Sequence, residues 1–160
     1  MNFRGKISML STFFLILFGF AACKDSKTIT DTNKEMAGRN WAYKKKVSFP
    51  VKIEDEHLAY HVFINLRHTA DYKYSNIFLL IHIISPEGKK TTERREFKLA
   101  YPDGEWRGSG AGNMYTYQLV LRENYHFPKK GVYTFEFEQN MRDNPLREVS
   151  DVGLRVEKAT

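Results

Sequence analysis

One cysteine is all this 160-residue chain contains, and that scarcity rules out a fold stapled by disulfides within the chain. Five histidines, His57, His61, His68, His82 and His126, are scattered without the spacing of metal ligands. With one thiol available, no zinc site is expected. Helical periodicity is scarce, and neither an internal repeat nor a heptad pattern is present. Long hydrophobic runs are scarce as well. The main one, Ile7–Phe20, is short for a membrane-spanning helix. A strong charge of one sign is missing too: 25 basic residues face 19 acidic ones, a net charge of +6. The basic clusters Lys44-Lys45-Lys46, Lys89-Lys90, Arg94-Arg95 and Lys129-Lys130 do not alternate with aromatics. They read as solvated strand ends and turns rather than a nucleic-acid platform.

What is present at the amino terminus is an export signal. Arg4 and Lys6 precede the apolar Ile7–Phe20, and Ala21-Ala22 places two small residues directly before Cys23. A charged start, a short apolar stretch and small residues before a break make a secretory signal peptide, here residues 1–22. The junction Phe20-Ala21-Ala22-Cys23 resembles the bacterial lipobox, with Phe20 where leucine is usual. In that motif the cysteine is acylated and becomes the new amino terminus. A spare thiol in an oxidising compartment is a liability that acylation removes. Several acyl chains on one residue give stable anchoring, where a single chain binds marginally. Cys23 is therefore the expected lipidation site, and the membrane its first partner. Cleavage there removes Arg4 and Lys6 and leaves a net charge of about +4.

Residues 23–40 are mostly polar and are expected to form a flexible tether. A free segment of that length spans roughly 20–25 Å, which keeps the folded part close to its membrane. Residues 41–160 have the size of one domain. Their dominant period is two. Val47, Phe49, Val51 and Ile53 alternate with polar residues and with Pro50, whose missing N–H assigns this strand to a sheet edge. Tyr60–Leu66, Ile77–Ile84, Thr91–Tyr101, Tyr115–Arg122, Val132–Gln139 and Asp151–Glu157 follow as further strands. Ile77–Ile84, nearly all apolar, belongs at a sheet centre. Ser85-Pro86-Glu87-Gly88 and Lys129-Lys130-Gly131 read as turns, and a short helical turn is expected over Asn140–Asn144. About seven strands with such punctuation predict an all-β fold, an antiparallel β-sandwich.

No catalytic constellation emerges. Gly104, Gly108, Gly110 and Gly112 suggest a phosphate loop, but the following Met114–Leu121 alternates as a strand, whereas a phosphate loop opens a helix. A long flexible connection over Asp103–Asn113 is expected instead. Ser109 lacks the context of a nucleophile elbow. His68 with Asp71 is better read as a loop hydrogen bond than as an acid–base pair. Asp103 and Glu105, in a Pro-Asp-Gly turn, fit turn chemistry better than glycoside hydrolysis.

Several motifs then fall together. Leu66-Arg67-His68-Thr69 with Asp71-Tyr72 and Tyr74-Ser75-Asn76-Ile77 comes first, then Leu99-Ala100 with Pro102-Asp103-Gly104-Glu105-Trp106. Glu123-Asn124-Tyr125 with Phe127-Pro128, Glu138-Gln139 with Met141-Arg142, and Asp151-Val152-Gly153 with Val156-Glu157 complete the set. Over most of Trp41–Glu157 this resembles the GldH gliding-motility lipoproteins of Bacteroidetes. The resemblance implies a membrane-anchored lipoprotein of the cell envelope, without an enzyme's active site or cofactor. Its implied partners are other gliding or secretion proteins. Only Cys23 maps onto a residue of known chemical role. Trp106 and Arg107 are the candidate partner surface, because Trp and Arg dominate interface hot spots and loops carry function on rigid scaffolds. The alternative is a lipidated carbohydrate-binding module using Trp106, Tyr115, Tyr117 and Tyr125 as an aromatic platform.

Overall fold

A computed structural model describes residues 27–159. The signal peptide and Cys23 lie outside the described residues. All seven expected strands form: β3 (Val47–Ile53), β4 (Ala59–Thr69), β5 (Asn76–Ile84), β6 (Lys90–Lys98), β8 (Met114–His126), β9 (Gly131–Gln139) and β11 (Val149–Lys158). Four more join them: β1 (Thr28–Glu35) and the short β2 (Asn40–Trp41), β7 (Ser109–Ala111) and β10 (Leu146–Arg147). A five-stranded antiparallel sheet runs β1-β11-β4-β8-β7, and a four-stranded one runs β3-β9-β5-β6. β10 and β2 make a two-residue ladder of their own.

The two large sheets are held by the apolar faces of β3, β4, β5, β8, β9 and β11. Phe49, Phe135 and Ile83 lie in register across β3, β9 and β5, and Val152, Leu66 and Tyr117 do so across β11, β4 and β8. With period-two alternation these positions share one face, and that face is buried between the sheets. Tyr133, Phe135 and Phe137 are core, and Glu136 and Glu138 face out, as their alternation requires. β3 is an edge strand, which suits Pro50 opposite Thr134. β5 is interior, between β9 and β6. On the edge strand β6 the inward positions include Glu93, which meets Arg122 of β8 at 2.6 Å. An inward charge on an edge discourages further strands from adding there.

Three expectations need correction. The stretch 28–40 is not a free tether: β1 pairs along β11, and Ala37–Arg39 forms a 3-10 turn after it. Its TITDTNKE sequence has one apolar residue, so it carries no hydrophobic alternation; backbone ladder bonds and polar side chains hold it instead. Asp31 accepts from Asn65 at 2.8 Å and from Arg155 at 2.8 Å, and Arg155 also reaches the Thr28 hydroxyl. Gly153 makes this approach possible. A Cβ there would come within 2.4 Å of the Thr32 carbonyl oxygen on β1. Second, Asn140–Asn144 is a series of bends closed by a cis Asn144–Pro145 bond, with no helical turn. There Gln139 donates to the Trp41 and Asp143 carbonyls and accepts from the Met141 N–H, occupying the groups a helix would use. Third, the 103–113 connection is a hydrogen-bonded arm rather than a loose loop. Ala100 bridges Trp106, the Arg107 N–H donates to the Leu99 carbonyl, and β7 pairs with β8.

Antiparallel register sorts the loops into two ends. Thr28 pairs with Glu157, Ala59 with His126, and Ile53 with Gly131. One end, the terminal end, therefore carries Thr28, Lys158 and the connections 54–58, 85–89 and 127–130. The opposite, loop end carries 70–75, 99–108 and 140–145.

The core register is open to test. Phe135 is 1% exposed, so Phe135→Ala should cost about 3–5 kcal/mol in urea unfolding. Glu136 faces out toward Lys90, and Glu136→Ala should leave the unfolding midpoint close to that of the parent. Equal losses at both positions would contradict the register.

Candidate functional site

The residues singled out in the sequence meet mainly at the loop end, around one histidine. His68 follows Tyr60, Val62, Ile64 and Leu66 on the inward face of β4, so alternation drives its imidazole into the interior. It is 0% exposed. Four aromatic rings surround it, with centroids at 4.5 Å for Trp106, 4.8 Å for Tyr72, 5.2 Å for Tyr117 and 6.0 Å for Tyr115. Trp106 comes from the 99–108 arm, Tyr72 from the turn after β4, and the two tyrosines from β8.

Hydrogen bonding places one proton on His68, and burial opposes a second. His68 Nδ1 lies 2.7 Å from the Thr69 carbonyl oxygen, which can only accept, so Nδ1 carries the proton. Nε2 then accepts from the Tyr117 hydroxyl at 3.0 Å. That hydroxyl also lies 3.0 Å from the Leu99 carbonyl, which already receives the Arg107 N–H at 2.8 Å. Burial lowers the His68 pKa below its ordinary value, against the Thr69 backbone bond that raises it. Burial pushes the Tyr117 hydroxyl up to about 12, opposed by the Gly108 backbone, and it raises Tyr72 as well. In the neutral form the single Tyr117 proton goes to Nε2, and the Leu99 carbonyl keeps the Arg107 N–H. The cluster clamps the 99–108 arm onto β4 and β8. Gly108 lets the arm lie flat, since a Cβ there would stand 2.6 Å from the Tyr117 ring.

The arm separates the two predicted surface residues. Trp106 is half-buried, its ring turned toward His68, Tyr72 and Tyr115. Arg107 is exposed, its guanidinium 5.2 Å from the ring centroid of Tyr101. Tyr101 is 50% exposed and, with Arg107, Lys98, Pro102 and Ser75, lines a shallow depression. Tyr101 was not singled out in the sequence, although its place before Pro102-Asp103-Gly104 marks it as a turn residue whose side chain can project outward.

Other candidates lie apart. The His68 nitrogens bond Thr69 and Tyr117, not Asp71, whose N–H instead donates to the Thr69 hydroxyl at 3.3 Å. Asp103 accepts the Glu105 N–H at 3.1 Å, which is turn chemistry. Trp106, Tyr115 and Tyr117 surround His68, whereas Tyr125 packs on Phe127 at the terminal end, so the four do not form one platform. Among the described residues no group of three or more His, Cys, Asp or Glu side chains could hold a metal ion.

Because His68 has a lowered pKa in the fold, the unfolded chain takes up a proton below about 6.5 that the folded chain refuses. The stability due to the neutral imidazole is complete above that pH. It is lost progressively as pH falls toward the folded-state value. Urea midpoints at pH 7.5 and 5.5 should therefore differ more for the parent than for His68→Gln, and identical pH dependence in the two would exclude this account. At the arm, Trp106→Ala should cost about 2 kcal/mol, less than a fully buried ring would. Arg107→Ala should leave the unfolding midpoint unchanged, and a comparable loss there would show that Arg107 is structural.

Residues 28–156 match the family model of the GldH lipoprotein. The match begins with β1, the strand that the sequence pattern did not reveal. The chain is 33% identical to a "Gliding motility lipoprotein GldH homolog" of Christiangramia forsetii over 163 aligned positions, covering 98% of each chain. It is 30% identical to "Gliding motility lipoprotein GldH" of Flavobacterium johnsoniae, over 84% of this chain and 87% of that one. Among solved structures, one of the infectious bursal disease virus Gt strain aligns at 11% identity and a TM-score of 0.22, covering 82% of this chain and 40% of that one. That likeness is too low to inform the fold. On the family match and the two relatives, this chain belongs to the GldH lipoprotein family.

Proposed function

We propose that this protein is a lipid-anchored, non-enzymatic component of the gliding-motility and associated secretion machinery of the cell envelope. Family membership over residues 28–156 carries the reading. Two relatives at 30% identity or more, both named gliding motility lipoprotein GldH or its homolog, support it. Acylation of Cys23 supplies the anchor. The site chemistry agrees with a binding role: its central titratable group, His68, is enclosed by aromatic rings and is 0% exposed, so no substrate in solution reaches it. The face left for a protein partner is the outer side of the 99–108 arm. Arg107 and Tyr101 are exposed there, on a backbone that the buried cluster holds still. Arg and Tyr both belong to the residue types that dominate interface energetics.

The test is genetic and biochemical together. In a strain deleted for this gene, the parent should restore surface spreading or adhesin secretion. A Tyr101→Ala, Arg107→Ala double variant should accumulate in membranes, fold normally and fail to restore either. Full restoration would remove this face from consideration. Cys23→Ala should leave the protein uncleaved or released from membranes, and a cleaved variant still fractionating with membranes would refute the anchor.

A further inference from the structure

We infer that the terminal end of the sandwich is a membrane-facing surface, seated on the lipid headgroups with the strands upright and the 99–108 arm pointing away. The inference rests on the reading of Cys23 as the acylated residue and adds the orientation that follows from it. Only residues 24–27 separate Cys23 from the first residue of β1. Five Cα steps reach at most about 18 Å even when fully extended. The thirteen residues of β8 run the length of the sandwich, about 43 Å at 3.3 Å per residue. A chain held at Cys23 can bring the terminal end to the headgroups, but it cannot bring the loop end there without laying the domain on its side.

The chemistry of the surfaces decides between upright and side-on. Lying down, the domain would present β1, the edge strand nearest the anchor. From Asp31 to Glu35 that edge reads Asp-Thr-Asn-Lys-Glu, with no apolar residue to insert. The terminal end is different. Leu58 is 38% and Val132 51% exposed there, two of five exposed large hydrophobic side chains among the described residues. Exposed lysines lie near them: Lys89 in the 85–89 turn, Lys130 in the 127–130 turn and Lys158 at the end of β11. Lysine stems lie along an apolar boundary while their ammonium groups reach phosphate, which suits the headgroup layer. Of the acids at this end, Glu54 meets Lys52 at 3.2 Å and Glu87 meets Lys129, while Asp55 and Glu56 accept the backbone N–H groups of His57 and Lys130. The half-buried Tyr125 completes the surface, lining a groove with Pro86, Pro128 and Ile83. Tyrosine favours the same interfacial depth.

Fluorescence quenching can read the orientation. Cys23 is the only natural cysteine, and acylation would occupy it, so an introduced thiol can be labelled alone. Lys130→Cys reports on the terminal end, Glu105→Cys on the 99–108 arm and Glu35→Cys on the far end of β1. Each full-length lipidated variant is labelled and reconstituted into vesicles of phosphatidylethanolamine and phosphatidylglycerol carrying a headgroup nitroxide. Emission should fall strongly at position 130 and little at 35 and 105. Equal quenching at 35 and 130 would mean a side-on domain, and strongest quenching at 105 an inverted one; either overturns the proposal. Vesicle flotation and the mass of the amino-terminal residue check the anchor separately. An unacylated Cys23 refutes the anchoring reading and the orientation with it. An acylated Cys23 with equal quenching at all three positions refutes the orientation alone.

Discussion

The pairing of Thr28–Glu35 with Val149–Lys158 joins the first described strand to the last, and much of the molecule's organisation depends on it. The pairing covers the outer edge of β11, which would otherwise expose an open row of backbone donors and acceptors on a largely buried strand. It also directs the chain onward. The Met36 N–H bonds the Ser150 carbonyl at 2.8 Å, and Met36 is buried. After the 3-10 turn, Trp41 packs into the core and its indole N–H finds the Lys45 carbonyl at 2.7 Å. The four-stranded sheet then begins. One missing side chain, at Gly153, makes the close approach of β1 possible.

A second constraint holds the opposite end. The 99–108 arm has little apolar sequence of its own, and glycine-rich segments lose more entropy on ordering than others. Order comes from burying Trp106 against a ring cluster and from saturating the polar groups within it. His68 is the centre because a neutral imidazole donates from Nδ1 to Thr69 and accepts at Nε2 from Tyr117, two separate atoms of one flat ring. Phenylalanine there would keep the stacking but leave the Thr69 carbonyl and the Tyr117 hydroxyl a partner short in a buried site, at a cost of a few kcal/mol. A buried, neutral histidine of this kind is a structural device, although in a sequence it looks like a catalytic candidate.

The core was legible because it obeys one rule. β3, β4 and β9 alternate, so Phe49, Ile64 and Phe135 are placed inside by period two alone. Pro50 carried its own message about an edge. What escaped was held by other means. Thr28–Glu35 is fixed by a backbone ladder and by polar contacts to residues more than 30 positions away, which no local pattern encodes. In the sequence the arm's glycines suggest freedom. Their use is steric access, visible only once the Tyr117 ring is in place. His68 and Trp106 were noticed separately, one for acid–base chemistry and one for binding; that they touch is a long-range fact.

These two constraints give the domain a direction. With β1 formed, the expected leash of seventeen or so residues between Cys23 and the folded domain is cut to residues 24–27. A leash would let any face meet a partner and would leave encounter to diffusion. An anchor at Cys23, as proposed, would through a stalk of at most about 18 Å tie one end of a far longer body to the bilayer. Recognition is then confined to the sides and the opposite end. That end is also where Arg107 and Tyr101 are exposed on a rigidly supported backbone. Rigid support matters there because ordering a loop on binding costs free energy that a clamped arm has already spent in folding. On the proposed reading, the buried histidine cluster and the short stalk act on the same quantity: each would lower the entropy a partner must remove to find the exposed face.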